Sequence, residues 1–168
     1  MERRFIISLL VDNKFGVLQR ISGMFSRRGF NIDSLTVGVT ENPELSRMTV
    51  TMTGDEFARD QMIKQLSKLY DVRKIVEMTD TSSVQRELVI MKVSANSKSR
   101  QDIMDAANVF RTKVIDFSPE SVTLEITGDK SKVDAFIEIM DNYGIIEMCR
   151  TGIIAMERGN KMLKHDND

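Results

Sequence analysis

Few residues in this chain have the types and spacing that could do chemistry. Asn13 and Gly16 lie in a polar turn, Asp12-Asn13-Lys14-Phe15-Gly16, between an apolar run (Phe5 to Val11) and a segment of helical periodicity starting at Val17. A glycine directly before a helix can seat a small anion, because the first helical N–H groups, here those of Val17 and Leu18, have no partner within the helix. Gly16 lets the backbone pass close to a ligand, and a Cβ there could block the approach. Asn13 can both donate and accept, which suits an α-amino and α-carboxylate pair. Asn31, with Ile32 beside it, follows the helix in Gly29-Phe30-Asn31. The same residues also read as plain turn chemistry, and spacing alone leaves both readings open.

No other group competes with this loop. His165, the only histidine, falls in a charged tail and reads as a solvated side chain. Cys149 sits in a strand pattern, where a core thiol is the ordinary reading. No P-loop, zinc-ligand spacing, nucleophile elbow or dinucleotide glycine fingerprint occurs. The carboxylates form no pattern distinct from surface charge. These features point to a chain that senses a small carboxylate and regulates, with no catalytic site of its own.

The elements around the loop follow from periodicity. After the first strand, a helix from about Val17 to Arg28 leads into Leu35, Val37 and Val39, which alternate with polar or small residues as in a half-buried strand. Glu41-Asn42-Pro43-Glu44 is a turn, and Met48, Val50 and Met52 alternate in a partner strand. Asp55 is an N-cap candidate for a helix from Glu56 to about Leu69, with Phe57, Met62, Ile63, Leu66 and Leu69 at helical spacing. Val72 to Met78 closes the unit as a strand. The polar stretch 79–85 reads as a linker.

The order then repeats, with strands at Leu88–Val93, Val114–Phe117, Val122–Ile126 and Ile145–Cys149, and with helices from Gln101 to Phe110 and Lys130 to Asn142. Residues 150–155 could extend the last strand. The fold class is α+β: two tandem ferredoxin-like β-α-β-β-α-β units. The expected domains are 1–78, a linker at 79–85, a second domain at 86–157 and a mobile tail at 158–168. Each unit has an apolar sheet face opposite its helices, so dimerisation or sheet packing is expected to cover it.

Composition bounds the class of protein. The 168 residues hold 24 Lys plus Arg against 25 Asp plus Glu, a net charge of -1, which gives no sign of a nucleic-acid or membrane partner. One cysteine permits no internal disulfide, and neither a signal peptide nor a membrane span is apparent; a cytoplasmic protein is expected. RNA-recognition modules share this element order, but they stack bases on aromatic residues of the central strands. The stretches Ser46–Thr51 and Val122–Ile126 carry none.

The stretch from Leu9 to Ile21 (LLVDNKFGVLQRI) resembles the ACT regulatory domain. Its continuation, Phe25 to Val37 (FSRRGFNIDSLTV), is similar to one family in particular, the small regulatory subunit of acetolactate synthase (acetohydroxyacid synthase). Leu45 to Thr49, Val84 to Leu88, Phe110-Arg111 with Ile115-Asp116, and Arg150-Thr151-Gly152 carry the same likeness up to about Gly159. The resemblance implies that the first unit is an ACT domain which pairs with a second copy. It implies that valine, or another branched-chain amino acid, binds between copies against Asn13, Gly16, Val17 and Leu18 of one and Asn31 and Ile32 of the other. It further implies a large catalytic partner subunit that carries thiamine diphosphate, Mg2+ and FAD, is activated by this chain and acquires feedback inhibition through it. The thiamine diphosphate motif, which begins Gly-Asp-Gly, is absent: Gly54-Asp55-Glu56 and Gly128-Asp129-Lys130 do not supply it. An ACT regulator of another enzyme is the alternative.

Overall fold

The structure, a computed structural model, describes residues 2–163. It comprises two compact units, one of the residues up to Val84 with those from Ile153 onward, the other Gln85–Gly152. Among the described residues no helix is long and apolar enough to cross a membrane.

In the first unit, β1 (Arg3–Asp12), α1 (Val17–Arg27), β2 (Ser34–Val39), β3 (Leu45–Gly54), α2 (Glu56–Leu66) and β4 (Val72–Glu77) follow in order. The antiparallel sheet runs β2-β3-β1-β4. The second unit repeats it with β5 (Ser83–Ser94), whose first two residues belong to the first unit, and with α3 (Arg100–Val109), β6 (Lys113–Phe117), β7 (Ser121–Gly128), α4 (Lys130–Asp141) and β8 (Ile145–Arg150), in the sheet path β6-β7-β5-β8. Each unit is thus a ferredoxin-like β-α-β-β-α-β fold.

β1 explains the arrangement of the first unit. Phe5, Ile7, Leu9 and Val11 alternate onto one face and pack with Val17, Ile21, Met24 and Phe25 of α1 and Met62 and Leu66 of α2. The α1 positions are four, seven and eight residues on from Val17, an apolar stripe of helical period. Each such side chain contributes roughly 1.5–3 kcal/mol by leaving water. α1 stops in a Schellman motif: the Phe30 N–H donates to Phe25 O, the Gly29 N–H to Ser26 O, and Gly29 takes the left-handed conformation that this geometry needs. α3 ends the same way, but there Arg111, with φ of 53°, takes the left-handed position.

The Gly-Asp pairs at 54–55 and 128–129 start helices. Asp55 accepts from the Ala58 N–H at 2.7 Å and Asp129 from the Lys132 N–H at 2.9 Å. A Cβ on Gly54 would stand 3.2 Å from Ala58 Cβ, and one on Gly128 would run into Lys132, so each glycine allows the first helical turn to pack close. Both carboxylates are engaged as caps.

Several expectations change, among them Cys149, which is exposed on β8 and is not a core thiol. The spacing places Phe57 on the inner face of α2, yet it is 72% exposed. The stripe runs instead through Ala58, Met62 and Leu66, a register in which residue 57 lies about 100° round the helix. α2 ends at Leu66, short of Leu69. Of the β2 alternation only Leu35 packs on the core; Val37 and Val39 are 46% and 59% exposed because β2 is an edge strand.

The largest change concerns the C-terminus. The chain does not stay with the second unit to residue 157, and residues 150–155 do not simply extend β8, which ends at Arg150. From Ile153 it returns to the first unit as β9 (Ile154–Glu157). There Ile153 and Ala155 are buried with Ile6 and Met78, on the face of β1 that points away from the helices. Thr36 Oγ1 donates to Ile153 O at 2.8 Å and Arg47 Nη2 to Ala155 O at 2.7 Å. The expected apolar face is thus covered in part from within the chain. Nor is the start of the tail loose: Arg158 donates through N–H to Ser82 O and through Nε to Ser83 O, and Leu163 is buried. The rest of the expected tail, with His165, lies outside the described residues. The 79–85 stretch is likewise ordered, with the Ser83 N–H and Oγ both donating to Thr79 O before β5 begins.

Candidate functional site

The loop between β1 and α1 is held on two sides. On one side the Asn13 N–H donates to Glu44 O at 2.7 Å and its side-chain amide to Pro43 O at 2.9 Å, joining it to the β2–β3 turn. On the other, the Asp12 N–H donates to Asp71 O at 2.9 Å, and Arg73 forks onto the Asp12 carboxylate, Nε to Oδ1 at 2.5 Å and Nη2 to Oδ2 at 2.9 Å. Lys14 Nζ adds a contact to Asp12 Oδ2 at 3.0 Å. Asp12 is only 4% exposed, and its carboxyl is held below the ordinary carboxylate range, first by the Arg73 fork and against the cost of burial.

Gly16 sits at the N-cap of α1 with φ of 83°, the left-handed region that favours glycine. It offers no side-chain cap, and the first turn of α1 holds no acidic residue. α2 and α4, in contrast, are capped by Asp55 and Asp129. Among the described residues, neither the N-cap nor the first turn of α1 therefore supplies an anion to the positive end of its dipole. The Val17 N–H makes a long turn contact to Lys14 O at 3.4 Å.

The predicted residues separate in role. Val17 is buried in the core, so only its backbone belongs to the loop, whereas Leu18 is partly exposed beside it. Phe15 is fully exposed at the loop tip. Asn31 is exposed at the other end of α1, its amide donating to Asp33 Oδ1 at 3.2 Å, and Ile32 leans on the core of its own unit. Asn13, Gly16, Val17 and Leu18 share one loop; Asn31 and Ile32 form a separate group just before the edge strand β2.

Arg20 escapes sequence reasoning. Its Nε donates to Asp71 Oδ2 at 2.7 Å, and its Nη1 stands 3.1 Å from the position a Cβ on Gly16 would take. The available signal was spacing, since residue 20 is one helical turn beyond Gly16; the Asp71 partner, 51 residues away, had none.

The corresponding loop of the second unit is closed by its own side chains. Asn96 Oδ1 accepts from the N–H groups of Lys98 and Ser99, and Arg100 Nη2 donates to Ala95, Ser118 and Pro119 carbonyls while its guanidinium lies 4.5 Å from the Phe117 ring centre.

Comparison with known proteins places the chain in a family. Residues 7–74 match the family model described as the AHAS small subunit-like ACT domain, so the first unit makes this an ACT-domain protein. Residues 86–159 match the model described as the small subunit of acetolactate synthase. The chain belongs to the acetolactate synthase small-subunit family. It is 52% identical over 155 residues to the protein called "Probable acetolactate synthase small subunit" in Archaeoglobus fulgidus, covering 92% of this chain and 97% of that one. It is 46% identical over 153 residues to the acetolactate synthase small subunit of Mycobacterium bovis, with 91% of each chain covered. The crystal structure of the small subunit from Thermotoga maritima superposes with a TM-score of 0.86 at 41% identity, over 95% of this chain and 99% of that one.

Proposed function

We propose that this chain is the regulatory subunit of a branched-chain acetolactate synthase, and that its first unit senses valine or a related branched-chain amino acid. The observation that carries the reading is the Gly16 loop, a glycine-capped helix start without an internal anion, inside a region that matches the small-subunit ACT domain. The α-carboxylate of the effector sits at the start of α1, where the helix dipole favours it and the Val17 N–H is held only by a long contact. Its apolar side chain meets Leu18, a burial worth roughly 1.5–3 kcal/mol for a valine-sized group.

Two copies pair through their ACT domains. The edge strand β2, with Val37 and Val39 exposed, supports this, because an unpaired apolar edge is a ready template for a second strand. Pairing there brings the neighbouring Asn31 and Ile32 of one copy to the loop of the other. An effector that bridges the copies stabilises one dimer arrangement, with a coupling of about 1–3 kcal/mol. That coupling reaches a large catalytic subunit, which carries thiamine diphosphate, Mg2+ and FAD, is activated by this chain and is inhibited when valine binds.

The test is reconstitution with a large subunit. Acetolactate formation from pyruvate should rise when this chain is added and fall again with L-valine, and Gly16→Asp should abolish the fall while the rise persists. If calorimetry finds no binding of valine, leucine or isoleucine and Gly16→Asp changes nothing, the sensor reading is wrong. A rise without any amino-acid response would leave a subunit that only activates.

A further inference from the structure

We propose that Arg20 is the side chain that grips the effector's α-carboxylate at the Gly16 loop, and that Asp71 is the positioning residue that aims it. This rests on the effector reading above and adds to it a residue which neither the sequence motif nor the loop itself identifies. Arg20 lies four residues beyond Gly16, and long helical side chains lean back over the preceding turn. Its Nη1 accordingly reaches the space that the missing Gly16 side chain leaves open, 3.1 Å from the Cβ position.

The guanidinium is fixed in that place. Nε donates to Asp71 Oδ2 at 2.7 Å, and the Asp71 carboxylate is mostly shielded, at 14% exposure, while the arginine is half exposed. The segment that carries Asp71 is itself anchored: Asp71 O accepts from the Asp12 N–H, the Val72 N–H donates to Leu69 O, and Arg73 forks onto buried Asp12. One edge of the planar guanidinium is thus spent on orientation and the other is turned to the glycine. A guanidinium matches a carboxylate in shape and charge, and its donors are held in a rigid fork. Immobilising it beforehand removes much of the ordering cost of binding. The amide groups at the start of α1 and the Arg20 head then converge on one carboxylate from two directions.

This assignment also gives Gly16→Asp a specific meaning. The introduced carboxylate would stand against Nη1 and occupy the arginine itself, as an internal substitute for the effector.

The assignment is tested with the full chain by calorimetry, comparing L-valine with L-valinamide, which keeps the side chain and amine but lacks the carboxylate. The unaltered chain should favour valine strongly. Arg20→Gln should weaken valine about ten- to hundredfold, the worth of a charged hydrogen bond, and leave valinamide nearly unchanged, so that the preference collapses. Arg20→Lys should restore part of it, and Asp71→Asn should give an intermediate loss. If Arg20→Gln binds valine as the unaltered chain does, or loses valine and valinamide in equal measure, Arg20 does not meet the carboxylate. If the unaltered chain binds no branched-chain amino acid, the effector reading falls and takes this one with it.

Discussion

At the scale of single residues, the proposed effector loop is supported by charge that a local reading cannot see. Asp12 is buried at the end of β1 and satisfied by Arg73, with Lys14 as a second partner. Removing the fork leaves a buried carboxylate short of donors, so Arg73→Met should cost about 2 kcal/mol at neutral pH. The sign of the pH dependence follows from the direction of the Asp12 shift. Its carboxyl titrates lower in the folded chain than in the unfolded one, so the pair stabilises fully above the ordinary Asp value of about 3.9 and loses that contribution as pH falls through the lowered folded value. Urea titrations of both proteins should therefore differ most near pH 7 and converge in acid. A gap independent of pH would mean that Arg73 acts by packing alone.

At the scale of elements, each unit depends on helix starts built from glycine and aspartate. Asp55→Ala and Asp129→Ala should each cost about 1 kcal/mol, the usual worth of an N-cap. The Asp129 carboxyl is pulled below its ordinary value chiefly by the Lys132 N–H, so the cost of Asp129→Ala should also fade in acid, as thermal melts at neutral and acid pH can show. α1 stands apart because its cap is a glycine, and the same measurement made at Gly16 would report on ligand binding as well as on helix stability. Both units also tie an outer strand to a central one by a bidentate pair, Arg73 with Asp12 in the first and Arg150 with Glu87 in the second. The two pairs hold the strand before the first helix in register with the last strand of the unit.

At the scale of the whole molecule, the proposed site needs two copies, and the edge of the first sheet is where pairing is expected. Val37→Lys together with Val39→Lys places charge on that edge and should halve the mass measured by light scattering, weakening valine binding with it. An unchanged mass would move the interface elsewhere. The opposite problem, an apolar face of β1 away from the helices, is met in part by Ile153 and Ala155 returning from the C-terminus.

Periodicity alone determined that the chain is a tandem of β-α-β-β-α-β units, because alternation and helical stripes are local. It also located the loop at Asn13 and Gly16, and the cap at Asp55, since these are short-range relations. Placement of Phe57 failed by one helical position, as a few apolar residues do not fix which side of a helix meets the sheet. The return of residues 153–163 to the first unit was illegible, for a strand records that it wants apolar neighbours and not which ones. The support of the loop was illegible for the same reason: Arg20 meets Asp71, and Arg73 meets Asp12, only when folding brings β1, α1 and β4 together. Local chemistry decided where the glycine turn falls; the tertiary structure decided which charges stand beside it.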